Sequence, residues 1–118
     1  MSQELKIGST NITYNKGGAK TSVAIDALAV DVSGTEVAEG VVSVATTAGA
    51  LTLPAAPGLC FVKNLDSTNF IQVGPDATNW FVKLTPEMPW AIFPLNGTAI
   101  QAKADTAPCN LQYKVFSL

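Results

Sequence analysis

From residue 59 onward the chain is cut into strand-sized apolar segments by turn residues at intervals of roughly ten, with no helical period between them. The segments are 59–63, 69–73, 80–84, 90–93, 99–104 and 111–116. Between them stand Gly74-Pro75-Asp76, Thr85-Pro86-Glu87, Leu95-Asn96-Gly97 and Asp105-Thr106-Ala107-Pro108, each with turn chemistry. This spacing predicts an all-β fold, an antiparallel β-sandwich or jelly-roll-like barrel of about eight short strands. The phrase running from Phe61 to Gly74 reads as a hairpin, two apolar strands about the polar turn Asn64 to Asn69. At the end of the chain Leu111, Tyr113 and Val115 share one face, opposite Gln112, Lys114 and Phe116.

The first half has a different composition. Every proline lies at or after Pro54, and every aromatic except Tyr14 lies after Gly58. One domain, residues 1–118, is expected, with a small-residue, extended portion at 1–53 and an aromatic-rich β core at 59–118. Within 21–32, Val23, Ile25 and Ala27 alternate with Ala24, Asp26 and Leu28, which predicts a strand. A helix over 23–30 is the alternative, because alanine and leucine favour it. Ser33-Gly34-Thr35 is a predicted turn, Gly40 opens a strand at 41–46, and 50–53 gives a further short one.

Charged residues make up only 14% of the chain against 47% hydrophobic, so a disordered chain is excluded and part of the surface is expected to lie against other subunits. A neutral surface rich in threonine, asparagine and serine is the competing explanation. The seven cations are all lysines, scattered singly under a net charge of −2, which argues against nucleic acid as a partner. The longest largely apolar stretch, around Ala48 to Val62, is broken by Thr52, Pro54 and Pro57, and no membrane span or signal peptide is expected. Asn11-Ile12-Thr13 and Asn96-Gly97-Thr98 match the glycosylation sequon but read as turn residues.

Histidine is absent, which removes the commonest general base and metal ligand. Cys60 and Cys109 each open an apolar strand and are expected as buried free thiols. No spacing of ligands predicts a metal or cofactor; a calcium site from Asp26, Asp31, Glu36 and Glu39 would need a compact loop that Leu28, Val30 and Val32 do not suggest. A hydrolase would need paired carboxylates, for which Asp66 and Asp105 are the candidates, yet no sequence feature ties their turns together. The chain is therefore expected not to be an enzyme.

Trp80 and Trp90 admit three readings: core, subunit interface or ligand platform. Pro86, Pro89 and Pro94 bracket Trp90, and proline cannot donate to a sheet ladder. An edge strand or rigid loop follows, and Trp90, Phe93, Pro89 and Pro94, with Trp80, are the predicted protein interface.

The second half resembles small virion structural proteins of tailed bacteriophages, of a kind seen in marine and cyanobacterial phages. The residues that carry the resemblance are 62–74 (Val-Lys-Asn-Leu-Asp-Ser-Thr-Asn-Phe-Ile-Gln-Val-Gly), 81–87 (Phe-Val-Lys-Leu-Thr-Pro-Glu), 102–107 (Ala-Lys-Ala-Asp-Thr-Ala) and 111–115 (Leu-Gln-Tyr-Lys-Val). Upstream, Thr-Thr-Ala-Gly-Ala-Leu-Thr-Leu at 46–53 is similar to the segment preceding the hairpin in such proteins. The proline-rich 85–90 stretch departs from that pattern, and 20–32 has no counterpart in it. The resemblance implies a capsid decoration or cement protein, assembled in the host cytoplasm, whose partner is the major capsid protein or another virion protein. A homotrimer is the expected assembly, since symmetric sites on a shell favour a symmetric binder. A receptor- or glycan-binding module of a fibre or tail is the alternative.

Overall fold

The computed structural model describes residues 3–32, 36–97 and 99–117, and contains two compact units, Met1–Ser33 and Gly34–Leu118. The turn expected at Ser33-Gly34-Thr35 and Thr98 of the second sequon lie outside the described residues.

The first unit is a β-ribbon. Strands β1 (Leu5–Ile7), β2 (Thr10–Lys16), β3 (Ala19–Ile25) and β4 (Leu28–Val30) pair as β1 with β4 and β2 with β3, all antiparallel. Lys16 lies opposite Ala19, so Gly17-Gly18 forms a two-residue turn, and Gly17 has the φ of +59° that the first position of a type II′ turn requires. Leu5 lies opposite Val30 in the same register, which makes one long hairpin interrupted at Gly8-Ser9 and Asp26-Ala27. Its open end is tied by Gln3 N–H donating to Asp31 Oδ1 at 2.8 Å and Val32 N–H donating to Glu4 Oε1 at 2.8 Å.

This ribbon corrects several expectations. The predicted strand at 21–32 is two strands broken at Asp26-Ala27, and its partner β2 was not foreseen. The helix alternative fails because Thr21, Val23 and Ile25 are β-branched and find Tyr14, Ile12 and Thr10 opposite them. Asn11 is a strand residue paired with Ala24, and is not in a turn.

Among the described residues the second unit contains eight strands: β5 (Val37–Val44), β6 (Gly49–Ala50), β7 (Pro57–Asn64), β8 (Ile71–Gly74), β9 (Val82–Leu84), β10 (Trp90–Pro94), β11 (Gln101–Ala104) and β12 (Cys109–Ser117). They form two antiparallel four-stranded sheets, β10-β7-β12-β5 and β6-β11-β8-β9, in a β-sandwich. The first sheet supplies Val44, Cys60, Val62, Leu111 and Val115 to the core; the second supplies Ile71, Val73, Leu84, Ala102 and Ala104. Alternation produces this arrangement, because every second side chain of β12 and β11 turns inward. Each fully buried Leu, Ile or Val contributes about 1.5–3 kcal/mol. Cys60 and Cys109 are buried free thiols, and burial pushes the Cys60 thiol up to about 12.

The expected hairpin at 61–74 is a corner between the sheets. β7 pairs with β10 and β12, while β8 pairs with β11 and β9, so the turn carries the chain from one sheet to the other. Local pattern could not distinguish these outcomes, since an apolar strand, a polar turn and a second apolar strand serve both.

Further upstream, β5 begins at Val37, so Gly40 lies inside a strand and does not open it. It sits directly opposite Tyr113, whose ring covers the space over the glycine; a Cβ there would lie 3.8 Å from the Tyr113 hydroxyl. The segment expected at 50–53 is reduced to β6, a two-residue strand on β11, followed by Leu51 N–H donating to the Ile100 carbonyl at 2.9 Å. β5, from the small-residue half of the sequence, is a full member of the core sheet.

Candidate docking face

The β10-β7-β12-β5 sheet has one face on the core and one turned outward. Cross-strand register places the outward residues in rows. Pro94, Leu59, Phe116 and Val37 make one row that is apolar across all four strands, in which Leu59 is buried, Phe116 half-buried and the two ends exposed. The next row has Ile92 and Phe61 on β10 and β7, then Lys114 and Glu39, whose side chains approach at 3.9 Å. The third row runs from Trp90 through Lys63 and Gln112 to Val41. Antiparallel sheets with a solvated face usually place polar residues there. Here Trp90 is 58% exposed, Ile92 45% and Val41 61%. A column of Trp90, Ile92 and Pro94 along one edge thus joins an apolar row at one end of the sheet, with an exposed ion pair of little energetic weight between them.

β10 is an edge strand, as the prolines around it suggested. Pro89 is half-buried, and its carbonyl accepts the Asn64 N–H at 2.7 Å before Trp90 begins pairing. Of the five predicted interface residues, Trp90 and Pro94 meet in the outward column. Phe93 has the opposite parity: it faces inward, packs on the core and meets Phe81 edge-on with ring centroids 5.5 Å apart. Trp80 is half-buried, and lies outside the strands in the segment before β9. Ile92, Phe61, Phe116, Val37 and Val41 escaped the sequence reading as surface residues. For Phe116 the signal was present, since it alternates with Leu111, Tyr113 and Val115 and must face away from them.

Asp66 and Asp76 are spent on loop closure. Asp66 accepts the backbone N–H groups of Thr68 and Asn69, and these bonds lower its pKa. Asp76 accepts from the side chain of Asn79 and from Thr78, which holds its carboxyl at about 2. The turns bearing Asp66 and Asp105 are adjacent, contrary to expectation: Thr106 Oγ1–H donates to Asn69 Oδ1 at 2.9 Å, and Asp105 N–H donates to the Phe70 carbonyl at 3.1 Å. A general acid needs a raised pKa, and Asp66 is shifted the other way. Of the proposed calcium ligands, Asp26 and Asp31 belong to the ribbon unit and Glu36 and Glu39 to the sandwich unit. Among the described residues, no group of three or more Cys, Asp or Glu side chains converges.

These loop carboxylates make the structure acid-sensitive in a defined window. Their folded pKa lies below the unfolded value, so their contribution is complete above the ordinary aspartate value of 3.8 and is lost as pH falls through the folded value, about 2 for Asp76. Thermal unfolding followed between pH 5 and pH 2 should show a midpoint falling through that window. Asp76→Ala should flatten part of the fall, and an unaltered slope would contradict the role assigned to Asp76.

Three grooves bordered by described residues differ in chemistry. One, of about 240 Å³, is lined by Phe81, Phe93, Pro94, Leu95 and other uncharged residues. A second, of about 220 Å³, is bordered by β5 and the 47–51 segment and is also uncharged. The third, a shallow groove of about 620 Å³ along the free edge of β5, carries Glu36 and Glu39 beside Tyr113. Glu36 Oε2 already accepts the Ala55 N–H at 2.7 Å.

No protein-family model, curated protein or solved structure matches the chain.

Proposed function

We propose that the protein is a non-enzymatic structural component of a bacteriophage virion, a capsid decoration protein that lays the outer face of its four-stranded sheet on the major capsid protein. The observation that carries this reading is the exposed apolar column of Trp90, Ile92 and Pro94, continued across the sheet by half-buried Phe116 and exposed Val37. The resemblance of residues 62–74, 81–87, 102–107 and 111–115 to phage virion proteins supplies the class of partner. Burial of such a face yields about 25 cal/mol per Å² of apolar area, less the cost of association, so a modest footprint suffices when it is repeated over a shell. A homotrimer is the assembly we expect.

The test is the copy number in purified particles, read by quantitative mass spectrometry, together with binding of purified protein to shells lacking it. Hundreds of copies and saturable rebinding are expected. A few copies, or no rebinding, would sink the capsid reading. The exposure of Trp90 also favours a second reading, a glycan platform on a fibre or tail, since an exposed indole stacks on sugar rings. Glycan-array binding that Trp90→Ala abolishes would establish it in place of the first.

A further inference from the structure

Of the chain's seven asparagines, Asn96 alone is followed by glycine. The structure sets it apart from the other six as well. Asn11, Asn15 and Asn110 lie inside paired strands, where the ladder holds the backbone extended. Asn64 is buried with its amide bonded on both sides, Asn69 Oδ1 accepts from Thr106 Oγ1–H, and the Asn79 amide donates to Asp76. Each of those six is followed by a residue that carries a Cβ. Asn96 and Gly97 are exposed, beyond the end of β10 at Pro94 and before β11 begins at Gln101. The chain is anchored just ahead of them, where Leu95 N–H donates to the Gly58 carbonyl at 2.8 Å. Gly97 has a φ of +131°, a conformation that favours glycine, and nothing lies within 4 Å of where its Cβ would stand.

We propose that Asn96 is a site of spontaneous modification, converting through a cyclic imide to isoaspartate and aspartate without any enzyme. The backbone nitrogen of Gly97 gives up its proton to solvent and attacks Asn96 Cγ. The new C–N bond closes a five-membered ring, and the bond from Cγ to the side-chain nitrogen breaks, releasing ammonia. Water then opens the ring. Addition at the former backbone carbonyl leaves isoaspartate, and addition at the former side-chain carbonyl leaves aspartate. Solvent water is the only co-reactant. Proximity drives the first step, since nucleophile and electrophile belong to adjacent residues and backbone rotation alone brings them together. A Cβ on the second residue obstructs that approach; glycine offers none, and the open space around Gly97 leaves the loop room to rotate. The product adds one negative charge to the net −2 of the chain. That charge falls on the rim of the uncharged groove lined by Phe81, Phe93, Pro94 and Leu95, of which Pro94 also belongs to the outward column. The chemistry belongs to the loop itself and stands whether or not the shell reading does.

The test is peptide mapping of the full chain by mass spectrometry after prolonged incubation at pH 7 and at pH 8. Asn96 should convert at least about tenfold faster than any other asparagine, because only there is the attacking nitrogen unobstructed. Its rate should rise about tenfold from pH 7 to pH 8, since the deprotonated nitrogen is the nucleophile. Isoaspartate should appear among the products, read by enzymatic methylation of its free α-carboxyl. The folded chain should convert within about tenfold of the rate in urea at the same pH, a barrier difference under about 1.4 kcal/mol. Asn96→Gln, which would need a larger ring, should show no conversion at that position and an unchanged unfolding midpoint. Conversion at Asn96 no faster than at the other asparagines would overturn the proposal. Aspartate without isoaspartate would also overturn it, because direct hydrolysis gives that result. A folded rate more than about tenfold below the rate in urea would mean that the loop prevents the ring from closing, which equally contradicts it.

Discussion

Gly74→Ala should destabilise the sandwich by about 3 kcal/mol and lower its Tm by on the order of 15 °C. Gly74 ends β8 and pairs with Gln101 of β11, and the loop after it folds back over the strand. A Cβ at this position would lie 1.8 Å from the Asn79 carbonyl oxygen and 3.0 Å from the Trp80 Cα. Both obstacles are backbone, so no rotamer change relieves them. Asp76 holds that backbone in place by accepting the N–H groups of Thr78 and Asn79 at 2.9 Å each. The requirement is for close approach; Gly74 is not among the glycines with positive φ. Gly49→Ala is the control, since nothing lies within 4 Å of its Cβ, and it should change stability by less than about 0.5 kcal/mol. Urea unfolding of the two variants would decide the matter. Equal effects would refute the packing argument.

Asn64→Leu should cost a similar amount, about 3 kcal/mol, by a different route. Asn64 is 3% exposed, and its side chain closes the corner between the two sheets. Its Nδ2 donates to the carbonyls of Asn69 and Leu84 at 2.9 Å each, and its Oδ1 accepts the Asp66 N–H at 2.8 Å. The first and third bonds shape the turn leading into β8. The second ties β7, in one sheet, to the end of β9 in the other. Leucine fills the volume but leaves two carbonyls and an N–H without partners, and each orphan costs more than the bond was worth.

Asn64→Asp separates hydrogen bonding from volume. It keeps the acceptor for Asp66 but turns a carboxylate toward two carbonyl oxygens, which raises the pKa of the new acid. A raised carboxyl pKa means stability is gained as the acid protonates, so this variant should become more stable from pH 7 to pH 5 while the parent changes little. Parallel behaviour of the two proteins would contradict the role given to the Asn64 amide.

What was readable in the sequence was the material of the sandwich. Leu111, Tyr113 and Val115 announced a core face by simple alternation, and the spaced turns announced short strands in number close to that found. Sheet membership was not readable. The segments 61–64 and 71–74 have the composition of a hairpin, and only the pairing of β7 with β12 and of β8 with β11 assigns them to opposite sheets. Those partners lie far along the chain, where local pattern carries no information. Of the ribbon, β3 was legible in the alternation of Val23 and Ile25, whereas β2 was missed because its polar side leaves only Ile12 and Tyr14 as an apolar signal. The residues predicted for an interface divided in the same way. Proline chemistry located the edge strand correctly, but the parity separating Trp90 from Phe93 became decisive only once the register with Lys63 and Cys60 was known.

The outer face of the β10-β7-β12-β5 sheet is the working surface we propose. Its most direct test is the affinity of a Trp90→Ser/Ile92→Lys double variant for shells lacking the protein, measured beside its urea unfolding curve. Both side chains are exposed, so the unfolding midpoint should stay close to the parent's while binding falls at least about a hundredfold, the loss of two central apolar contacts. Parental affinity in the folded variant would mean that the chain docks through some other surface.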